Sequence, residues 1–272
     1  MANFADKYQT LLLRHERSRL HVTLNRPEVK NALNPTLIGE LRAVFEILRD
    51  RRDIKVVVLR GAGGTFCAGA DLKNMEQSFT DKPTPGEKDP IAVWNRGFGT
   101  FLEMVNASPQ VVVAAVEGYA IAGGFGILCV SDVAICTEDA GFAMSETAIG
   151  IVPAQIAPFV AARIGVPQTR HLTLTAARFK GPEAHRLGIA HYLVKDSAAL
   201  DAKLEELLKQ IDRCAPIANA LTKQVVMKVG TEPLSQVLDF AADRFAEARR
   251  GPEASEGLRA FAEKRPPRWA AE

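Results

Sequence analysis

Apolar positions along this chain follow three rhythms. The first is unbroken: Ile54-Lys55-Val56-Val57-Val58-Leu59 and Val111-Val112-Val113-Ala114-Ala115-Val116 are rich in β-branched residues and run on into glycine. Such runs predict strands buried on both faces of a parallel sheet. Asp132-Val133-Ala134-Ile135-Cys136 predicts a third strand of this kind. The second rhythm alternates. Leu20-His21-Val22-Thr23-Leu24 stops at Asn25-Arg26-Pro27, which predicts an early strand and a turn. The third rhythm is helical. Asn34-Pro35 is an N-cap with a first-turn proline, opening a helix to about Arg51 with Leu37, Leu41, Val44, Phe45 and Leu48 on one face. A second helix is predicted from about Ile91 to Asn106, and from residue 154 onward the chain reads as helical throughout. Its patterns fall at 154–164, 167–176, 182–187, 198–213, 216–228, 233–247 and 253–263.

Both unbroken runs empty into glycine. Gly61-Ala62-Gly63-Gly64-Thr65-Phe66-Cys67-Ala68-Gly69-Ala70-Asp71-Leu72 follows the first, with Asp71 opening a short helical pattern. Glu117-Gly118-Tyr119-Ala120-Ile121-Ala122-Gly123-Gly124-Phe125-Gly126 follows the second and leads into a short helix to Val130. Strand, glycine loop and helix start together aim backbone N–H groups at an anion or a polarised oxygen. The repetition, some 55 residues apart, predicts parallel strands joined by helical crossovers. Residues 78–90 carry three prolines and no periodicity, and read as a mobile surface loop able to act as a lid.

Charge and composition narrow the function. Lys and Arg number 34 against 32 Asp and Glu, and the basic clusters Arg49–Arg52 and Arg249–Arg250 are short, so no nucleic-acid footprint is expected. Cys67, Cys129, Cys136 and Cys214 lack C-x-x-C spacing, and packing is their expected role. The five histidines (15, 21, 171, 185, 191) show no metal spacing, so no metal is expected. Met-Ala-Asn-Phe-Ala-Asp has no secretory pattern, and no apolar stretch reaches the roughly 18 residues of a membrane span. A reduced cytoplasm is the expected compartment, with no membrane partner.

Five passages in order resemble the crotonase family, also called the enoyl-CoA hydratase/isomerase superfamily. They are Asn25-Arg26-Pro27 with Asn31-Ala32-Leu33-Asn34, Phe66–Leu72, Gly118–Gly124, Ser131-Asp132-Val133-Ala134, and Phe261-Ala262-Glu263-Lys264-Arg265. The resemblance implies an α/β spiral of repeated ββα units, a catalytic core over residues 1–204, and a helical trimerisation region over 205–272. It implies an acyl-CoA thioester substrate, no separate cofactor because CoA arrives on the substrate, and a homotrimer or a hexamer of two trimers. By position, the backbone amides of Ala70 and Gly123 would hold the thioester oxygen of an enolate. Such donors contribute about 2.7–4 kcal/mol each in comparable sites. Ala68, Asp71, Leu72 and Gly124 belong to the same two segments and are expected to line the substrate. Val29, Lys30 and Lys73 lie where relatives meet CoA. Phe261 and Lys264 occupy positions that often reach the nucleotide of a neighbouring subunit. Tyr119 is expected to pack.

Hydratases of the family commonly carry one glutamate three residues after the oxyanion glycine and a second some twenty further on. Here the first position is Gly126, and the second falls on Glu146, expected to open a helix capped by Ser145. Two carboxylates conveniently share the activation of water and the protonation of Cα, whereas moving a proton from Cα to Cγ needs only one base. The residues alone thus leave open a hydratase, an enoyl-CoA isomerase and a silent acyl-CoA-binding homologue. The segment Ser145–Val160 resembles bacterial hydratases of branched glutaconyl-CoA esters, the methylglutaconyl- and isohexenylglutaconyl-CoA hydratases of leucine and acyclic terpene breakdown. That likeness implies hydration of such a 2-enoyl-CoA.

Overall fold

The computed structural model describes residues 8–71 and 85–271. Six strands form the main sheet in the order β1-β2-β3-β4-β6-β9. β1 (Leu11–Glu16) and β2 (Arg19–Leu24) make an antiparallel hairpin. β3 (Val56–Gly61), β4 (Val111–Val116), β6 (Val133–Thr137) and β9 (Tyr192–Val194) continue it in parallel, with Leu20 opposite Val57, Val57 opposite Val112 and Ala114 opposite Ala134. The unbroken runs are explained by burial on both faces. Val57, Leu59, Val112, Ala114 and Val116 face a core filled by α1 (Pro35–Leu48) and α2 (Pro90–Asn106). Val56, Val58, Val113 and Ala115 face the opposite way, onto Leu200, Leu204, Leu207, Leu208 and Ile211 of α7 (Ser197–Asp212). Lys55 interrupts the first run, and its Nζ is buried against the carbonyl oxygen of Trp269.

A smaller sheet, β5-β7-β8, carries the geometry that matters for function. β5 (Tyr119–Ile121) and β7 (Gly141–Ala143) run parallel in the register Tyr119 to Gly141 and Ile121 to Ala143. The pairing extends one step further, with Ala122 N donating to Ala143 O at 2.9 Å. The residues that follow, Gly123 on one chain and Glu146 on the other, therefore leave the same end of a parallel pair. β8 (Arg178–Lys180) closes the sheet antiparallel to β7, and Phe142 stacks on Phe179 with centroids 5.7 Å apart.

Several expectations shift. The stretch after 154 contains β8 and β9 among its helices α4 (Ala157–Ile164), α5 (Val166–Leu174) and α6 (Gly181–Arg186), so the wholly helical reading is corrected. Three-residue strands are too short to display a rhythm. β1 was not signalled either, because its exposed outer positions blur the alternation. α1 stops at Leu48 rather than Arg51, where Gln110 Nε2 donates to Leu48 O and Arg51 O at 2.8 Å each. The boundary expected at 204/205 falls inside α7, whose apolar stripe lies on the main sheet on both sides of it. Beyond α7 come α8 (Pro216–Lys228), α9 (Leu234–Arg250), α10 (Pro252–Ala262) and α11 (Arg268–Ala271). Residues 72–84, which include the short helical pattern after Asp71 and most of the expected lid, lie outside the described residues. Among the described residues no helix is long and apolar enough to cross a membrane.

Candidate active site

The first glycine loop is held from both sides. Asn31 is fully buried, accepts from Arg26 N at 2.8 Å, and donates to Ala62 O and Thr65 O at 2.9 and 2.6 Å. On one flank Leu33 N donates to Gly69 O (2.7 Å) and Asp71 N to Leu33 O (2.9 Å). On the other, Cys67 N donates to Tyr119 O (2.7 Å) and Ile121 N to Cys67 O (3.0 Å). Leu33 thus takes up the groups of residues 69 and 71, which turns the amide of Ala70 away from it. Among the described residues that amide has no protein acceptor, and neither has that of Gly123, the first residue of α3 (Gly123–Cys129).

Glycine is required where the two loops meet. Gly69 has φ +93°, and a Cβ there would lie 3.0 Å from Ala122 Cβ and 3.1 Å from Ile121 O. A Cβ on Gly124 would lie 2.7 Å from both Cβ and O of Cys67. Between these contacts Ala122 adopts φ 48°, ψ −118°, a conformation an L-residue holds only when its surroundings dictate it. The strain sits one residue before the Gly123 amide and fixes the direction in which it points.

Ala70 and Gly123 line a cavity of about 420 Å³, together with the first turns of α1, Asn95 and Phe98 of α2, Ser145, Glu146, Ile149 and residues 151–156. Glu146 lies in its wall, within a 3-10 turn, Glu146–Ile149. The expected cap is corrected: Ser145 makes no side-chain capping bond, and the turn is too short to continue as a helix. The turn is anchored instead by Thr147 Oγ1, which donates to Thr173 O at 2.7 Å. Among the described residues Glu146 Oε2 is buried without a hydrogen-bond partner. Burial raises its pKa above the ordinary carboxylate value, opposed in part by its own backbone amide. A carboxylate so poised, in one cavity with two N–H groups that have no acceptor among the described residues, is equipped to take and return a proton while an oxyanion is held.

Gly126 does not face this cavity as a vacant second acid position. A Cβ there would lie 2.4 Å from Cγ2 and 3.1 Å from Cβ of Ile156, a residue 3% exposed that itself lines the cavity. An isoleucine therefore fills the space a side chain at 126 would need. Gly126→Glu alone has no room to reach the substrate past this side chain.

The remaining expected residues divide. Ala68, Ala70, Asp71, Gly123 and Glu146 share the cavity wall, while Gly124 supports it from behind through Cys67. Asp71 is engaged by Arg26 (Oδ2 to Nη2, 3.0 Å), which also donates to Ala32 O. Val29 and Lys30 are exposed on the turn beside the loop and do not line the cavity. Lys30 Nζ lies 5.2 Å from the Tyr119 ring centroid, and Tyr119 is 43% exposed rather than a core residue. Leu72 and Lys73 lie outside the described residues. Phe261, 86% exposed, and Lys264 sit at the end of α10 and do not line the cavity. Cys67, though within the first loop, is fully buried with its thiol pushed up to about 12, so it packs and does not act as a nucleophile. Ile156 and Arg42 were not foreseen, since nothing in their local pattern separates them from ordinary helical positions.

An α/β scaffold with the Ala70 and Gly123 amides and Glu146 around one cavity is the arrangement expected of the crotonase fold. The sequence model of the enoyl-CoA hydratase/isomerase family matches residues 14–272, and the chain belongs to that family. AtuE of Pseudomonas aeruginosa is 50% identical, with a TM-score of 0.91 over 96% of this chain and 100% of that one. An enoyl-CoA hydratase/isomerase from Marinobacter aquaeolei is 44% identical, with a TM-score of 0.93 over 96% and 99%. The carnitinyl-CoA dehydratase of Escherichia coli (strain K12) is 31% identical over 267 residues, 96% of this chain and 98% of the relative. The family match and the carnitinyl-CoA dehydratase support an enzyme of the hydro-lyase type.

Proposed function

We propose that this protein adds water to a branched glutaconyl-type 2-enoyl-CoA, with Glu146 as its single acid–base group. The observation that carries the reading is the unpartnered Oε2 of Glu146 in the same cavity as the free amides of Ala70 and Gly123. As water oxygen bonds to Cβ, Glu146 takes a proton from it, and the π electrons move onto the thioester oxygen held by the two amides. The enolate then collapses, Cα takes the proton from Glu146, and the carboxylate is restored. Both new bonds form on the face that Glu146 occupies, so addition is syn. No cofactor is needed beyond the CoA of the substrate.

A branched acyl chain suits the cavity mouth, where Trp94, Ile149 and Val152 are 44%, 60% and 73% exposed. Assembly into a trimer, or a hexamer of two trimers, suits the C-terminal helices, where Leu234, Leu238, Phe245 and Phe261 are 70%, 60%, 72% and 86% exposed. A cytoplasmic location accords with the free cysteines. The isomerase is the second reading, favoured by Ile156 standing where a second acid would be.

The test is a panel of 2-enoyl-, 3-enoyl-, 3-methylglutaconyl- and isohexenylglutaconyl-CoA, with products identified by mass. Gain of one water on the glutaconyl esters supports the proposal. Turnover of 3-enoyl-CoA alone, without change of mass, selects the isomerase, and no turnover at all selects a binding homologue.

A further inference from the structure

Arg42 is the one unexplained charge in the cavity wall. Three charged side chains line it among the described residues: Asp71, already paired with Arg26, Glu146, and Arg42. Arg42 forms no ion pair among the described residues, and its Nε is buried without a partner. One Nη2 bond, to Gly97 O, ties it to α2 and holds the guanidinium against the cavity. Arg42 is half-buried, and a guanidinium with unused donors facing a cavity beside apolar Pro35, Ile38 and Phe98 is placed to meet an anion; its planar fork suits a carboxylate.

Its position along α1 fixes which part of a ligand it can meet. Leu33, beside Ala70, immediately precedes the helix, and Arg42 follows Asn34 by eight residues, or about 12 Å along the axis. Helical side chains tilt back towards the N-terminus, which brings the guanidinium closer to the thioester end than its Cα. We propose that Arg42 receives the distal carboxylate of the acyl chain and is the specificity-determining residue for dicarboxylic acyl-CoA esters. The inference rests on the hydratase reading above and names the group that selects its substrate. It also sets this chain against cationic acyl groups such as that of carnitine, which Arg42 would repel.

The test compares 3-methylglutaconyl-CoA with 3-methyl-2-pentenoyl-CoA, in which a methyl group replaces the carboxylate, on wild type, Arg42→Gln and Arg42→Lys. Wild type is expected to favour the carboxylated ester, and Arg42→Gln to reduce the ratio of the two kcat/KM values at least 100-fold. Arg42→Lys, which keeps the charge and most of the stem, is expected to lose less of that ratio, and it carries the test if the glutamine variant does not fold. A wild-type preference that survives in Arg42→Gln overturns this inference and leaves the hydratase reading standing. Absence of any preference in wild type also overturns this inference, and absence of hydration of either ester overturns the hydratase reading as well. Equal losses on the two CoA esters that vanish with the matching pantetheine thioesters would assign Arg42 to the CoA phosphates, and this too overturns it.

Discussion

The pairing of Gly126 with Ile156 supports a quantitative prediction. Gly126→Ala places a methyl group 2.4 Å from Ile156 Cγ2, well inside contact distance, with Leu102 Cδ1 3.5 Å away. Overpacking of this kind costs about 1–3 kcal/mol. Replacing a helical glycine by alanine returns about 0.8–1.0 kcal/mol. The single variant is therefore expected to be destabilised by about 0–2 kcal/mol, where the same change in an open helix would stabilise. Ile156→Ala alone should cost about 2–5 kcal/mol, towards the lower end because the site borders a cavity. In that background the clash is gone, and Gly126→Ala should stabilise by about 1 kcal/mol. The cycle thus predicts a coupling of about 1–3 kcal/mol between the two positions. Urea unfolding of the four proteins measures it directly, and thermal midpoints follow at roughly 2 °C per kcal/mol for a chain of this size. Additive effects, or a Gly126→Ala protein more stable than wild type, would refute the packing account. The functional corollary is that Gly126→Glu gains activity towards simple 2-enoyl-CoA only when combined with Ile156→Ala.

Further outcomes follow at three positions. Because burial raises the pKa of Glu146 and the base must be ionised, the acid limb of kcat/KM should lie above the ordinary carboxylate value, and Glu146→Gln should abolish hydration; near-wild-type turnover by that variant removes Glu146 from the mechanism. The sign for stability is opposite: a raised folded-state pKa means that wild type loses stability relative to Glu146→Gln as pH rises from about 4.5 through the folded value, which denaturation midpoints across that window would reveal. Ala122→Gly should leave stability unchanged or raise it by about 1 kcal/mol as the strain at φ 48° is relieved, while kcat/KM drops because the Gly123 amide is less firmly aimed; a loss of stability of that size argues against strain. Lys223 is buried against Asp132 (2.6 Å) and donates to Ser108 O and Gln110 O, tying α8 to the core. Burial pushes the Asp132 carboxyl up and the Lys223 ammonium down, while their attraction opposes both shifts. Lys223→Met should accordingly cost about 3–5 kcal/mol by stranding Asp132, and Lys223→Met with Asp132→Asn should recover much of it; equal stabilities for single and double variants would show that the pair is uncoupled.

Local chemistry made much of this protein legible without coordinates. Runs such as Val56-Val57-Val58-Leu59 are apolar at consecutive positions because sheet and helices cover both faces, and only a buried parallel strand needs that pattern. Asn34-Pro35 announced α1 because capping is decided within one turn, and the structure has Asn34 Oδ1 accepting from Leu37 N at 2.8 Å. The two glycine loops stood out in the sequence, and Gly69 and Gly124 are the points where they touch.

What lay beyond the sequence was whatever depends on partners distant along the chain. The strands β5, β7 and β8 exist through pairing over three residues each, too few for any rhythm, yet β5 and β7 bring Gly123 and Glu146 out side by side. Whether Gly126 was a vacancy or a filled position turned on Ile156, thirty residues away, whose side chain occupies the space. In the sequence Arg42 is one more charge flanking a helical stripe; only α2 and the cavity around it show that, among the described residues, it has no counter-ion. Sequence alone determined most of the elements and the two glycine loops, since propensity, capping and glycine geometry are local. The tertiary structure decided the wall around them, because burial and the absence of a partner are properties of a packed neighbourhood and not of a residue.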